Sequence, residues 1–427
     1  MNILMMTNTF LPHVGGVARS VAAFTNQLRS FGNRVIVVAP EYQANPDDEE
    51  IDVIRIPAIQ NFNGSDFSAI IPIPGFLEAH LQDFQPDIIH SHHPFLMGST
   101  AVRVATKHEA PLVYTQHTMF EQYTHYVPVN LPRMKQFAVS LCTGYANMSD
   151  QVIAPSESVA DILRKRGVKT PTETIPTGIF IDEFVKGDGQ SVRSSENIPD
   201  EAFVVGHVGR LAPEKNLEFL SEAVALFLRD EPEAHFLVVG YGPSEKKMRD
   251  FFARHHLQNQ VHFLGKQNGQ NLIDAYHAMD VFAFSSKSET QGLVLTEAMT
   301  AGAPAVALDA SGVRDVVRNR KNGLILPDER VDQFANALME MCHCSDRARQ
   351  NFIKEAKRTA ENYSMYNCAS KITEVYQRLI KNNEIDTQRD EFLWKKSIEQ
   401  VKTEWELLQN LTSAVGNALS EGKSKMS

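Results

Sequence analysis

Two cations, Arg210 and Lys215, flank a short turn between an apolar run and a helix-like stretch. A guanidinium offers a forked pair of donors and an ammonium offers a compact charge, so together they can hold a diphosphate. The same spacing also fits a solvated helix start in which an ion pair forms with Glu214. Spacing alone leaves anion binding and a structural turn both open.

A polar loop after another apolar run contains Glu289, and we predict that a helix begins after it near Leu293. The free N–H groups at the start of this helix, around Gly292 and Leu293, should face a ligand. Glu297 lies about one turn inside the helix. Carboxylates suit sugar hydroxyls because they accept two hydrogen bonds, although a helix cap with an exposed glutamate is the simpler alternative.

The first half of the chain holds two weaker signals. Gly15 and Gly16 precede a helical run, where a bare backbone and a helix N-terminus can meet an anion. Their spacing is not that of a dinucleotide-binding loop, so a structural turn fits equally well. His117 ends an apolar strand and can contact a sugar hydroxyl, orient a phosphate or lie in the core.

Three histidines, His90, His92 and His93, resemble a metal cluster. Strand alternation, however, places His92 and His93 on opposite faces, and no carboxylate or cysteine accompanies them at a ligand spacing. The segment from Cys342 to Cys344 also has the wrong spacing for a metal site, and helix packing explains it better. We therefore expect no metal.

These residues must be positioned by parallel sheets, because short β-branched runs alternate with longer amphipathic segments. The rhythm restarts after a polar stretch, residues 186–199, which we interpret as a linker. We predict an α/β fold with two doubly wound Rossmann-like domains facing across a cleft, where ligands gather at strand carboxyl ends. The predicted strands are 3–7, 34–39, 52–56, 87–90, 112–115, 151–154, 173–175, 203–207, 235–239, 261–264, 281–284, 305–308 and 323–326.

Composition narrows the class of protein. The chain has 427 residues, a formal net charge of −10 and 43% hydrophobic residues, which predicts two globular domains and disfavours nucleic-acid binding. No window is apolar enough to span a membrane, and no signal peptide is recognised at the start. Four cysteines without a CxxC pair fit a reduced cytoplasm.

Taken together, the glycine loop at Gly15-Gly16-Val17, the cationic turn at 209–216 and the glutamates Glu289 and Glu297 resemble the retaining glycosyltransferases of family four. The resemblance runs to about Ile380 and implies the two-domain GT-B architecture. An NAD-dependent oxidoreductase is disfavoured because neither half begins with GxGxxG. A non-catalytic nucleotide-binding scaffold is disfavoured because Arg210, Lys215, Glu289 and Glu297 are all present, and loss of activity should have removed at least one of them.

The resemblance also implies a role for each candidate residue. Arg210, Lys215 and the backbone N–H of Gly16 would bind the donor diphosphate, and Glu297 the nucleotide ribose, with Gly292 and Leu293 at the helix start also binding donor. Glu289, which would contact the transferred hexose, and His117, which would face the reacting centre, are the implied catalytic residues. The leaving diphosphate would deprotonate the acceptor on the same face, so no cofactor or metal is implied.

Some segments are similar to diacylglycerol glucosyltransferases, namely residues 92–98, residues 117–128 and the unusual run Glu289-Thr290-Gln291-Gly292. This similarity implies a UDP-sugar donor such as UDP-glucose, a lipid acceptor and peripheral contact with the inner face of the cell membrane. The residues themselves do not distinguish UDP-glucose from UDP-galactose, UDP-glucuronate or GDP-mannose. A soluble sugar or polysaccharide acceptor is the alternative.

We predict an acceptor-side domain at 1–190 completed by a crossover helix at 367–380, a nucleotide-sugar domain at 200–366, and a helical tail at 384–427. The tail places Trp394, Ile398, Val401, Trp405 and Leu408 on one stripe. Docking of this stripe on protein is favoured over membrane insertion, because the polar face has as many acids as bases.

Overall fold

The computed structural model describes residues 1–13, 15–42, 52–59, 69–70, 76–119, 132–287 and 289–387. Its contacts divide the chain into two compact units, one formed by residues up to Gly178 and from Cys368 onward, the other by Ile179–Asn367. Each unit is built on its own parallel sheet.

The first unit contains a seven-stranded sheet in the order β3-β2-β1-β6-β7-β8-β9, all parallel, and a small antiparallel pair, β4 with β5. Apolar side chains of this sheet and of the helices on it form one buried core. The strands are β1 (Asn2–Met6), β2 (Arg34–Pro40), β3 (Val53–Ile56), β4 (Ala58–Ile59), β5 (Ala69–Ile70), β6 (Ile88–Ser91), β7 (Leu112–Thr115), β8 (Gln151–Ala154) and β9 (Thr172–Thr174). The helices before residue 179 are α1 (Gly16–Ser30), α2 (Phe76–His80), α3 (Met97–His108), α4 (Pro132–Asn147) and α5 (Glu157–Lys165).

The second unit contains a six-stranded parallel sheet in the order β12-β11-β10-β13-β14-β15, with a buried apolar cluster on each face. Its strands are β10 (Val204–Val208), β11 (His235–Val239), β12 (Val261–Gly265), β13 (Val281–Phe284), β14 (Ala305–Leu308) and β15 (Gly323–Leu326). Its helices are α6 (Ile181–Phe184), α7 (Gly189–Ser195), α8 (Leu217–Asp230), α9 (Glu245–Arg254), α10 (Gly269–His277), α11 (Leu293–Ala301), α12 (Val313–Val316), α13 (Val331–Cys342) and α14 (Asp346–Asn362). The last described helix is α15 (Met365–Thr387).

Both sheets reverse their winding direction once. The reversal lies between β1 and β6 in the first sheet and between β10 and β13 in the second. In doubly wound sheets, the strand ends beside such a reversal form the ligand crevice, because the flanking loops diverge to opposite faces there. The fold prediction of two doubly wound α/β domains is confirmed, and every predicted strand occurs within one residue of its predicted bounds.

The prediction that residues 186–199 form a linker is wrong. Residues Gly189–Ser195 form α7, and Arg193 bonds Asp280 with an Nη2–Oδ2 distance of 2.8 Å. A Cβ on Gly187 or Gly189 would come within 2.2 and 2.3 Å of atoms of His277. These glycines therefore allow close packing on α10, and the change of unit comes earlier, between Gly178 and Ile179.

Helix α15 is longer than the predicted crossover helix at 367–380, and from Cys368 onward it belongs to the first unit. The hydroxyl of Tyr376 lies 2.5 Å from Nδ1 of His90, Arg378 pairs with Glu173, and Asn383 donates to the carbonyl of Glu109 at 2.7 Å. No described helix combines the length and apolar character needed to cross a membrane. The predicted tail stripe lies outside the described residues, and so does most of the segment 117–128 that is similar to diacylglycerol glucosyltransferases.

Candidate functional site

The cationic turn follows β10 directly, at the reversal point of the second sheet. Leu211 and Ala212 are fully buried and anchor the turn, whereas Arg210 between strand and anchor is exposed. A single turn of 3-10 helix, Pro213–Lys215, then leads into Asn216 with a φ of 56°. The hydroxyl of Ser285, the first residue after β13, donates to the carbonyl of Lys215 at 2.8 Å. The loops after β10 and β13 are thus tied together.

Lys215 and Glu289 form an ion pair across these two loops. Their side chains are only 20% and 16% exposed, so the pair is sheltered from screening by solvent. The partner of Lys215 is therefore a carboxylate from the neighbouring strand end and not the adjacent Glu214 alone. The fold thus brings a predicted donor-binding residue, Lys215, into contact with a predicted catalytic residue, Glu289.

The loop after Glu289 turns sharply into α11. Gly292 has a φ of +75° and is the N-terminal capping residue of that helix, so the first free N–H groups begin with Leu293. Gly312 approaches this loop so closely that a Cβ on it would lie 2.7 Å from the backbone nitrogen of Gln291. The start of α11 is therefore held rigidly beside Glu289.

Glu297 lies inside α11 and is only 2% exposed. Its Oε2 accepts a hydrogen bond from the hydroxyl of Tyr276 at 2.7 Å. Tyr276 is itself fully buried in α10. The carboxylate is therefore held in place by a neighbouring helix, which suits a group that must meet ligand hydroxyls in one orientation.

Sequence reasoning missed His207, a fully buried histidine in β10. Its Nδ1 lies 3.1 Å from the carbonyl oxygen of Ala283, so Nδ1 carries the ring proton. Its Nε2 is buried without a hydrogen-bond partner among the described residues. Burial lowers the pKa of His207 to about 4, while the charges of Lys215 and Glu289 act on it in opposite directions. A polar residue in an otherwise apolar strand was the available signal.

In the first unit, α1 begins at Gly16, directly after the capping residue Gly15. Among the described residues, no atom outside its two chain neighbours and the backbone of α1 lies within 4 Å of the position that a Cβ on Gly16 would take. The fold itself thus does not require glycine there, and the space is open for a ligand to approach the helix start. Gly16 is exposed at a helix N-terminus, and its contribution of a backbone N–H to the donor diphosphate stays a prediction.

His117 lies just beyond β7 and meets His92, with 2.9 Å between Nε2 of His117 and Nδ1 of His92. Next to them, Nε2 of His90 lies 2.7 Å from the hydroxyl of Thr115. His93 points elsewhere: its Nδ1 accepts a hydrogen bond from the backbone N–H of Asn8 at 3.1 Å. His92 and His93 therefore have different neighbours, although both follow the end of β6 and strand alternation does not apply to them.

The segment from Cys342 to Cys344, at the end of α13, lies close to a carboxylate. In the part of the chain that the structure describes, Glu231, Cys342 and His343 offer atoms within 4.8 Å of one another. Nε2 of His343 lies 2.6 Å from Oε1 of Glu231, and burial raises the pKa of the Cys342 thiol to about 11.

The buried histidines predict that acid destabilises the protein. Burial lowers the pKa of His90 and His93 to about 3 and that of His117 and His207 to about 4. Histidine in an unfolded chain has a pKa of about 6.5. Below that pH the unfolded chain therefore binds more protons than the folded protein does, and the free energy of unfolding falls as pH falls. Each buried ring contributes up to about 1.4 kcal/mol per pH unit.

We expect the melting temperature to fall steadily from about pH 6.5 to about pH 5, a window above the titration of ordinary carboxyl groups. Thermal unfolding in a pH series checks this, and the variant His207→Phe should show a shallower slope. A melting temperature that stays level across the window would contradict the neutral, buried state of these rings.

Two family models match the chain. The model described as Glycosyltransferase Family 4 matches residues 14–183, and the model described as Glycosyl transferases group 1 matches residues 188–359. The alpha-monoglucosyldiacylglycerol synthase of Streptococcus pneumoniae is 28% identical over 393 residues, covering 90% of this chain and 87% of that protein. The GDP-mannose-dependent alpha-mannosyltransferase of Mycobacterium tuberculosis is 27% identical over 362 residues, covering 84% and 91%.

Solved structures show the same fold. The crystal structure of Anabaena Alr3699/HepE in complex with UDP and glucose matches with a TM-score of 0.69 at 22% identity, covering 88% of this chain and 100% of that one. The two family models together span most of the chain, one on each parallel-sheet unit. The chain therefore belongs to glycosyltransferase family 4, has two Rossmann-like domains of the GT-B type, and is an enzyme of the hexosyltransferase class.

Proposed function

We propose that the enzyme transfers glucose from UDP-glucose to a lipid acceptor such as diacylglycerol, with retention of the anomeric configuration. The observation that carries the proposal is the sheltered Lys215–Glu289 pair beside the start of α11. The pair places a cation that can bind the diphosphate next to a carboxylate that can bind sugar hydroxyls, at the carboxyl ends of two neighbouring strands. Such a pairing fits a nucleotide sugar better than a free nucleotide or a free sugar.

The charges of the site suit departure of a diphosphate. As the bond between the anomeric carbon and the phosphate oxygen breaks, negative charge grows on the leaving diphosphate, and Arg210 and Lys215 stabilise it. The acceptor hydroxyl attacks from the same face, and its proton passes to the leaving phosphate oxygen. Because two side-chain cations supply this charge stabilisation, we propose that the reaction needs no metal or other cofactor.

In this proposal, the remaining predicted residues bind different parts of the nucleotide sugar. Glu289 holds hydroxyls of the hexose, and Glu297, anchored by Tyr276, holds the ribose. Gly292 and Leu293 offer backbone groups at the start of α11, and Gly16 offers another from the first unit. His117 meets the sugar near the reacting carbon. The first unit would then carry the acceptor side and residues 200–366 the donor.

A lipid acceptor is supported by the relative named for synthesis of alpha-monoglucosyldiacylglycerol. It is also supported by the diacylglycerol-glucosyltransferase-like segments at 92–98 and 289–292. We propose that the enzyme works in peripheral contact with the cytoplasmic face of the cell membrane. The relative named for GDP-mannose makes the donor base and sugar the first variables to test.

The test is a donor panel assayed with purified full-length protein and micelles of diacylglycerol with anionic lipid. Release of nucleoside diphosphate and formation of glycolipid are followed together, and proton NMR of the product reads the anomeric configuration. Lipid-dependent release of UDP with an α-linked glucolipid is the expected result. Release that ignores lipid would move the acceptor to a soluble sugar or polysaccharide, and turnover only with GDP-mannose would replace the donor.

Replacing Gly16 with alanine should separate donor binding from folding. Alanine within a helix is favoured over glycine by about 0.5–1 kcal/mol, and the added methyl group would clash with nothing in the part of the chain that the structure describes. The methyl group would instead obstruct the diphosphate at the helix start. We expect an unchanged or higher melting temperature and a KM for the nucleotide sugar raised about tenfold or more. An unaltered KM would remove Gly16 from the donor site.

A further inference from the structure

His92 is a buried histidine beside the predicted catalytic histidine, with no assigned role of its own. It follows β6 directly and is 2% exposed. Its Nδ1 lies 2.9 Å from Nε2 of His117, and its Nε2 is buried without a partner among the described residues. His92 therefore makes one side-chain hydrogen bond there, and that bond is to His117.

The surroundings of His92 hold its ring in one place. Its backbone N–H donates to the carbonyl of Met6 in β1 at 3.0 Å. Its ring lies against that of His90, with 4.2 Å between centroids. His90 is itself fixed at both ring nitrogens, by the hydroxyls of Tyr376 and Thr115. A ring packed in this way can orient its neighbour, since it cannot turn away from it.

We propose that His92 is a positioning residue for His117: it donates from Nδ1 to Nε2 of His117, so that Nδ1 of His117 carries the ring proton and meets the ligand. The inference rests on the proposed function in placing that ligand, the donor sugar, at His117. The contact with His92 itself comes from the geometry alone.

The direction of the hydrogen bond follows from the unpartnered atom. Burial lowers the pKa of both rings, so each is neutral and carries one proton. If His117 donated instead, His92 would keep its proton on Nε2 as a buried N–H without an acceptor. Buried N–H groups without a partner are rarer than buried acceptors without a donor. The arrangement with the proton on Nδ1 of His92 is therefore favoured.

This arrangement restricts what His117 can do. Its Nε2 lone pair is occupied by His92, and its remaining nitrogen presents an N–H group. A neutral imidazole held in this way donates a hydrogen bond to an oxygen of the sugar, and it does not act as a general base. That matches a reaction in which the leaving diphosphate takes the acceptor proton.

Three substitutions at His92 separate positioning from packing. His92→Phe keeps a ring of similar size but removes both nitrogens. His92→Asn places an amide N–H near the position of Nδ1, so it can still donate to His117. His92→Gln is the matched control for His92→Asn, because its side chain is one methylene longer and carries the amide beyond the position of Nδ1. A residue that only fills space would be replaced best by phenylalanine.

We expect kcat to fall by about 10- to 100-fold in His92→Phe and His92→Gln, with the KM for the nucleotide sugar changed less than about threefold. His92→Asn should recover most of the lost kcat. Far-UV circular dichroism and thermal unfolding report on folding of each variant. Equal losses in the asparagine and phenylalanine variants, or wild-type kcat in all three, would overturn the proposal.

A second measurement does not depend on turnover. In full-length protein labelled with ¹⁵N-histidine, long-range NMR correlations distinguish the two ring tautomers, and His117→Asn identifies the signals of His117. We expect the Nδ1–H form in the wild type and a mixture of forms in His92→Phe. An Nε2–H form in the wild type would overturn the proposal. If transfer to lipid failed but this pattern held, only the proposed function would be lost.

Discussion

Glu289→Ala is expected to lower kcat by about 100-fold or more while the KM for the nucleotide sugar changes only a few-fold. The carboxylate of Glu289 has two tasks in the proposed reaction. It holds hydroxyls of the hexose, and it positions the ammonium of Lys215, whose side chain is 20% exposed. Losing the carboxylate loosens both, and the effect is greatest when charge grows on the leaving diphosphate.

A matched control is the exposed pair of Arg320 with Glu340, joined at 2.7 Å in the same unit. Glu340→Ala should leave kcat and KM unchanged, since exposed ion pairs contribute about 0–1 kcal/mol. Steady-state kinetics with the donor and acceptor found in the panel, together with melting temperatures, compare the two variants. A wild-type kcat for Glu289→Ala would remove this residue from the reaction.

Most strands were predictable because they are short apolar runs bounded by turn residues, such as Val281–Phe284. In a sheet covered on both faces such runs carry little ambiguity. The small pair of Ala58–Ile59 with Ala69–Ile70 was missed, because two-residue strands leave no periodic pattern. The stretch at 186–199 misled for another reason. Its glycines allow close packing on α10, whereas composition alone suggested a linker.

Candidate site residues could be predicted from the sequence because polar residues at strand ends are local in sequence. Arg210 and Lys215 follow one strand, and Glu289 follows another, and the reversal of the sheet makes these strands neighbours. Contacts made by buried polar groups were not predictable in this way. The bond of Tyr276 to Glu297 joins two helices, and His92 was set aside because its spacing does not suit a metal. Such partners are chosen by packing, which a single sequence does not encode locally.

Arg210 and Lys215 differ in solvent exposure, and this difference predicts that substituting them lowers activity by unequal amounts. Arg210 is exposed, whereas the side chain of Lys215 is 20% exposed and ion-paired. Two unit charges about 4 Å apart interact by about 1 kcal/mol in water but by about 4 kcal/mol near a protein surface of lower dielectric. The sheltered ammonium should therefore stabilise the leaving diphosphate more than the exposed guanidinium does.

We expect Lys215→Met to lower kcat/KM by about 1,000-fold and Arg210→Met by about 10-fold. Salt provides the discriminating measurement, because added ions screen exposed charges far more than sheltered ones. In Lys215→Met the remaining activity, which depends on Arg210, should fall steeply as salt is raised. In Arg210→Met it should respond weakly. Equal losses with equal salt dependence would show that burial does not separate the two cations.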